Sequence, residues 1–440
     1  MRRMIIVNTF SFLHTSDIHL GYQQFNLDER FADFGAAFGR IVDYALKYKV
    51  DFVAVGGDFF HQRAINAETL KQAMELLQPL KDAGIPVITI EGNHDKAFYQ
   101  DKISWLRLLN GLGYLKLLKP VFTEGRISLT PWTSTGEGCV LELDRARIIG
   151  LGYLGATTEQ RLAEAASQLE IADKFTILLL HAAVNKFLVQ DLGGVKKETL
   201  EQFRDMVDYL ALGHIHTREE DGWFFNPGAL ENCHLDEAKE GREKGFYHVT
   251  VCGPQKTVEY IPAKPREVRL LTVDITGVRD PAEAYQKVWL AVEGLSLKSL
   301  DRPMLQVILR GEVDFSAMAI DTSGLAREIR ETCGCLHVEG QNTANLPLYQ
   351  GDDPGSDALN RSLIEKQVLD RLVARRFPQY REFQGELVDL VIRVKEAALS
   401  GESPKDIIAA AAALAGRLPG QETETCGENV AAAGGENLED

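Results

Sequence analysis

Short apolar runs, each closed by a polar cluster, set the rhythm of the first half of the chain. Residues 50–55 (VDFVAV) lead into Gly56-Gly57-Asp58, and 85–90 (IPVITI) into Gly92-Asn93-His94-Asp95. Residues 176–180 (TILLL) lead into His181, and 207–212 (VDYLAL) into Gly213-His214-Ile215-His216. Brief β-branched runs bounded by glycine read as buried strands. Chemistry just past the carboxyl ends of strands is the habit of α/β folds. Between the runs the spacing changes to helical. Phe31, Phe34, Phe38, Ile41, Val42 and Ala45 predict a helix over 28–48. Leu70, Ala73, Met74, Leu77 and Leu80 predict another over 67–82, with Asn66 as its N-cap. Both apolar faces read as core or as contact with a second subunit. Strand–helix–strand alternation over the first 120 residues predicts an α/β layered domain. The opening MRRMIIVNTFSFLHTSD is short in apolar length, is interrupted by Asn8, Thr9 and Ser11, and runs straight into Asp17. It reads as the first core strand rather than a secretion signal.

After about residue 265 the texture shifts. Strands at 268–275 and 304–310 and a helix at 281–294 predict a smaller α+β domain over 266–348, after a first domain over 1–265. A turn-rich linker, YQGDDPGS, occupies 349–356. Helices are expected at 357–376, 384–399 and 404–417, the last opening with Ser403-Pro404. Val368, Leu369, Leu372 and Val373, then Leu387, Leu390, Val391 and Val394, form apolar stripes. These suit either mutual packing or a partner's docking face. From Leu418 to Asp440 the chain reads as a disordered acidic tail. There is no internal repeat.

Composition narrows the classes. The 440 residues, 45% hydrophobic and 25% charged, suit a globular protein of two or three domains. No run approaches the roughly 18 apolar residues of a membrane helix. The six cysteines are scattered, and Cys333-Gly-Cys335 lacks zinc-knuckle spacing, so all six read as ordinary thiols in a reducing cytoplasm. The net charge of −16 argues against gripping nucleic acid by bulk positive charge. Six of those charges lie in the tail, leaving ten in the body. Bound divalent cations would reverse the field locally.

The histidines carry the chemistry. Of ten, six (His19, His61, His94, His181, His214 and His216) sit at strand ends beside Gly, Asp or Asn. His14 reads as support for a strand end, and His234, His248 and His337 as structural. Asp17-x-His19 and His214-x-His216 place paired donors on one side of an extended chain. Asp58 follows two glycines, and Asn93 offers an amide oxygen. Imidazole, carboxylate and amide without thiolate suit Mn, Fe or Zn. Asp17, His19, Asp58, Asn93, His181, His214 and His216 make seven donors, enough for two cations bridged by one carboxylate.

Taken in this order, these five motifs resemble the calcineurin-like metallophosphoesterase superfamily. His14-Thr-Ser-Asp17-Ile-His19-Leu-Gly21-Tyr, Gly57-Asp58-Phe-Phe-His61 and Asn226-Pro-Gly-Ala-Leu-Glu231 resemble its double-strand-break repair nuclease branch. That branch includes bacterial SbcD and its archaeal and eukaryotic meiotic-recombination counterparts. The tyrosine of purple acid phosphatases and the Asp-Arg-Gly run of protein phosphatases are absent. The close resemblance spans residues 12–235.

The resemblance implies a four-layer sandwich of two mixed β-sheets flanked by helices, a smaller α+β cap and a helical C-terminal segment. It implies one metal on Asp17, His19, Asp58 and His216, and another on Asp58, Asn93, His181 and His214. Manganese is the expected ion, with a cation-activated water as nucleophile. His94 would contact the scissile phosphate and protonate the leaving oxygen, with Asp95 orienting it and His61 beside the phosphate path. The expected activity is an exonuclease, with single-strand endonuclease action, in DNA double-strand-break processing. The expected partners are DNA, an SMC-type coiled-coil ATPase docked on the 357–417 helices, and a second copy of the chain. The expected setting is the cytoplasm or nucleoid. Two alternatives stand beside it: a phosphodiesterase of cyclic nucleotides or small diesters, and a non-catalytic repair scaffold. For substrate contacts the sequence offers only neighbours of the motifs. These are Tyr22, Gln23, Gln24, Phe25 and Arg30, then Lys186, Lys196 and Lys197, then Lys239, Arg242 and Lys244.

Overall fold

The computed structural model describes residues 9–98, 100–184, 194–239, 243–313 and 315–344. In the C-terminal part it describes residues 366, 369–370, 373, 380, 383–400, 408 and 412. Two six-stranded sheets form its centre. In the first the order is Gln255–Pro262, Gly245–Cys252, Thr9–Thr15, Phe52–Val55, Val87–Thr89, Lys116–Leu117, with the last four strands parallel. In the second it is Glu219–Glu220, Phe224–Asn226, Tyr209–Gly213, Phe175–His181, Ala146–Gly152, Val140–Glu142, antiparallel only at its edges.

The two-residue period of the strands decides the layering. Phe12, Phe52, Ala54 and Ile88 point one way and meet Ile148, Ile177, Leu179, Tyr209 and Phe225 of the other sheet in a shared core. Leu13, Val53, Val55 and Val87 point the other way, onto the helices Asp28–Tyr48 and Ala67–Asp82. Leu178 and Leu180 face outward from the second sheet, onto Leu162 and Ala165 of the helix Thr158–Ala166 and onto Leu200 of Lys197–Glu201. Helix, sheet, sheet and helix give the four layers. The two long helices have the expected bounds, and the Asn66 side chain caps the second by accepting the Thr69 N–H at 2.8 Å. Ala73, Leu77 and Leu80 spend that helix's stripe on the core, leaving Leu70 and Met74 half-buried.

The expected 281–294 helix is Pro281–Glu293, capped by Asp280. It lies between the parallel strands Val268–Asp274 and Met304–Arg310. The helix Thr322–Cys333 and the strand His337–Asn342, which the sequence reading left out, complete a three-stranded parallel sheet with its own core. Strand and helix therefore alternate here as βαβαβ, with all three strands parallel, in the segment expected to be a smaller α+β domain. The chain divides into compact units at Leu348 and Tyr349. In the second unit the helix Gln384–Ser400 matches the expected 384–399, and Lys366 pairs with Asp389 at 2.9 Å. The expected helices 357–376 and 404–417 fall largely outside the described residues, and the 349–356 linker and 418–440 tail fall wholly outside. Among the described residues no helix is long and apolar enough to cross a membrane.

Candidate metal centre

Parallel register brings the motifs level. Gly213 pairs with His181 across the second sheet, and Thr15 pairs with Val55 in the first, so the four loops that follow open at one edge. The loops then lock to each other through backbone bonds. Asp17 N–H donates to Gly57 O at 3.1 Å, His19 N–H to Asp58 O at 3.0 Å and Leu20 N–H to Phe59 O at 2.9 Å. The extended Asp17-x-His19 pair expected from alternation is not what forms. Asp17, His19, Asp58 and His214 all have positive φ, at 52°, 51°, 49° and 96°. This left-handed backbone, costly for a residue with a side chain, turns the donors inward where a plain strand would carry them past one another.

All seven expected donors converge. The donor atoms of Asp17, His19 and Asp58 lie within 4.8 Å of one another, as do those of Asp58, His181 and His214. Asp58 is common to both groups. The Nε2 atoms of His19 and His216 stand 3.0 Å apart. Asn93 Oδ1 is 3.1 Å from both His181 Nε2 and His214 Nδ1, and Asp58 Oδ2 is 3.2 Å from His181 Nε2. Donors about 2.1 Å from one cation and at right angles to each other stand about 3.0 Å apart, so the cluster fits cations in both halves. The second nitrogens agree. His181 Nδ1 donates to Gly56 O at 2.7 Å, and His216 Nδ1 faces Glu237 Oε1 at 2.8 Å, so Nε2 of each is the nitrogen that would bind a cation, which displaces its proton. His19 Nδ1 is buried without a hydrogen-bond partner.

The electrostatics follow from this crowding. Burial alone would raise the Asp58 carboxyl, but His181, His19 and the His94 amide outweigh it and hold it well below the usual carboxylate range. Burial would lower His181; Asp58 and Asp17 instead lift it to about 9. Burial and the neighbouring His216 push His19 well down. Burial, reinforced by His94, takes His61 to about 4.

His94 stands beside the donors, its ring centroid 5.1 Å from that of His19 and 5.5 Å from that of His61. Its Nδ1 lies 2.6 Å from the His61 carbonyl oxygen, and its N–H donates to Asp58 Oδ1 at 2.9 Å. The ring is therefore oriented by the His61 carbonyl, where the family resemblance implied Asp95. The Asp95 carboxylate is occupied elsewhere, accepting the amides of Phe59, Phe60 and Gly92 at 2.9–3.1 Å. Asp95 ties the two glycine turns together. Its burial and the nearby Asp58 raise it to about 7 despite those three bonds.

The expected substrate neighbours scatter. Arg30 is fully buried and bonded to Gln24, Asp33, Glu231 and the Asn232 carbonyl, a structural role. Lys244 is buried on Glu237 at 2.6 Å and on the His216 carbonyl at 3.1 Å. Lys197 pairs with Asp221 and Lys239 with Asp236. Phe25 stacks on His337 of the smaller domain at 3.7 Å. Tyr22 stacks on His61 at 3.6 Å and so reaches the site. Lys186 and Arg242 lie outside the described residues. Three residues near the site escaped the sequence reading. Glu237 orients His216, and Arg63 donates to the Asn93 carbonyl at 3.1–3.2 Å. Cys233, taken for an ordinary thiol, groups with His19 and His216 within 4.8 Å.

Comparison with known proteins agrees with this geometry. Residues 10–218 match the calcineurin-like phosphoesterase family. The chain is 32% identical to the DNA double-strand break repair protein Mre11 of Archaeoglobus fulgidus over 304 residues, which is 64% of this chain and 65% of that protein. It is 25% identical to the protein of the same name from Saccharolobus solfataricus, covering 90% and 97%. With that from Sulfurisphaera tokodaii it shares 27% identity, covering 87% and 93%. With the motifs, the four layers and the converged donors in agreement, residues 10–218 form a calcineurin-like phosphoesterase domain.

Proposed function

We propose that the chain is a manganese-dependent DNA nuclease that degrades duplex ends exonucleolytically and cuts single strands. The observation that carries the reading is the seven-donor cluster shared across Asp58, with His94 poised at its rim. The similarity to archaeal double-strand-break repair proteins over most of the chain supports DNA as the substrate.

Asp17, His19, Asp58 and His216 would hold one cation, and Asp58, Asn93, His181 and His214 the other. Bound there, the pair would supply a water ionised near neutral pH and charge neutralisation at the phosphoryl oxygens. The protein's own part is positional. Glu237 and the Gly56 carbonyl fix the tautomers of His216 and His181. A carbonyl only accepts, so the His61 oxygen requires the proton on Nδ1 of His94 and leaves Nε2 as the nitrogen that would meet a bound phosphate. In its imidazolium form, His94 Nε2 gives a proton to the departing 3′ or 5′ oxygen, preventing expulsion of an alkoxide. The stack of Tyr22 on His61 narrows the approach on that side.

Association with an SMC-type ATPase through the C-terminal helices, and with a second copy, belongs to the same reading. The helix Gln384–Ser400 carries an exposed Val391 beside half-buried Leu387, Leu390 and Val394. Deleting residues 357–440 is expected to abolish ATPase capture and spare manganese-dependent cleavage. The central test is cleavage of an end-labelled duplex with a single-stranded overhang, in Mn and in Mg, by wild type and His94→Ser. Mn-dependent shortening lost in the variant, with metal content retained, supports the nuclease. Turnover of bis-p-nitrophenyl phosphate by a protein inert on DNA would transfer the reading to a small-diester phosphodiesterase.

A further inference from the structure

One donor in the cluster differs in kind from the others. Cys233 is buried, and its Sγ lies within 4.8 Å of a ring nitrogen of His19 and of a ring nitrogen of His216. Its main chain is clamped from two sides. The Cys233 N–H donates to Glu237 Oε2 at 3.2 Å, and the Cys233 carbonyl accepts from Gln24 Nε2 at 2.8 Å. Gln24 is held in turn by the buried Arg30 guanidinium at 3.0 Å. The same Glu237 carboxylate orients the His216 ring through Oε1 and is braced by Lys244. One carboxylate thus holds both the His216 ring and the main chain of Cys233, which fixes where the two donors stand. The group on Asp58, His181 and His214 contains no sulfur. The two halves of the centre therefore differ in softness, which decides metal preference more than raw affinity does.

We propose that Cys233 is an additional ligand in the His19/His216 half of the centre, and that this half prefers thiophilic divalent ions (zinc, cobalt, cadmium) over manganese, while the Asn93/His181/His214 half has no such preference. On binding, the S–H bond breaks, the proton passes to solvent and a sulfur–metal bond forms. The proposal rests on the two-cation reading above.

The test is stepwise addition of cobalt(II) to metal-free full-length protein, followed by absorption spectroscopy. Wild type and Cys335→Ala are expected to develop a sulfur-to-cobalt charge-transfer band in the near ultraviolet. Cys233→Ala and Cys233→Ser are expected to lack it while still taking up cobalt in the other half. Cadmium affinity relative to manganese should fall at least about tenfold in Cys233→Ala. Cadmium NMR of the unsubstituted protein covers the case in which the variants misfold, because one of two resonances should lie in the sulfur-ligated range. Two cobalt ions bound by wild type without the band, or an unchanged band in Cys233→Ala, would overturn the assignment and leave the two-cation reading standing. Failure of wild type to bind cobalt at all would overturn both.

Discussion

The loops at the edge of the two large sheets and the smaller domain over Val268–Asn342 are built from the same unit, a parallel strand followed by a turn. They use it differently. In the loops, Asp17, His19 and Asp58 take left-handed backbone while buried, and imidazole nitrogens face one another at 3.0 Å. Among the described residues of the smaller domain the non-glycine residues with positive φ, Ser296 and Arg302, are exposed. Strained, buried residues cost about 1–3 kcal/mol each and persist only where the surroundings over-determine them. The contrast teaches where the molecule concentrates strain. The shared core and the locked loops hold the donors in a geometry the chain would not adopt alone, whereas the smaller domain has conventional strands and caps.

The sharpest way to break that contrast is at Asp58, the donor common to both halves. Asp58→Asn should lower diester hydrolysis by more than about a thousandfold and reduce bound metal to one equivalent or less by elemental analysis. A variant that keeps both metals and its rate would remove the centre from the strained loops. Next in size, His94→Ser should lower turnover by about a hundred- to ten-thousandfold with metal content unchanged. A pair of glycine substitutions then compares the two regions directly. Gly57 has φ of 96°, and an added Cβ would stand 2.5 Å from His181 Nδ1. Gly277 has φ of 74° with nothing within 4 Å. Gly57→Ala should cost more than about 3 kcal/mol in denaturant unfolding, and Gly277→Ala about 1 kcal/mol. Equal costs would mean that the loops are no more constrained than an ordinary turn.

Acid should expose the burial of the strand ends. Burial takes His14 from 6.5 to about 3, against the bond to the Leu212 carbonyl that would raise it. Between those values the unfolded chain binds the proton and the folded one does not. The contribution is therefore complete above pH 6.5 and is lost on acidification, by at most about 1.4 kcal/mol per pH unit. His14→Gln should flatten that limb of the stability–pH curve. The smallest effect is expected where the two regions touch. His337→Ala, which removes the stack on Phe25, should cost about 1 kcal/mol or less and leave the metal content untouched.

Much of this protein was already determined by local sequence. The apolar runs predicted Phe52–Val55, Val87–Thr89, Phe175–His181 and Tyr209–Gly213, and helical spacing predicted Asp28–Tyr48 and Ala67–Asp82. Asp17, His19, Asp58, Asn93, His181, His214 and His216 were legible as donors because their spacing from the strand ends is itself a local property. Tertiary structure decided the rest. Register between strands far apart in sequence set which donors meet, so Cys233 and Glu237 joined the site with no motif of their own. The same long-range packing buried Arg30, a basic neighbour of the first motif, on Glu231, 201 residues away. It also turned Asp95 onto the amides of Phe59 and Phe60 and gave His94 to the His61 carbonyl. Periodicity records which way a side chain faces along its own element. It carries no information about which atom of another element will stand 3 Å away, because that depends on how the two sheets and their loops close over one another.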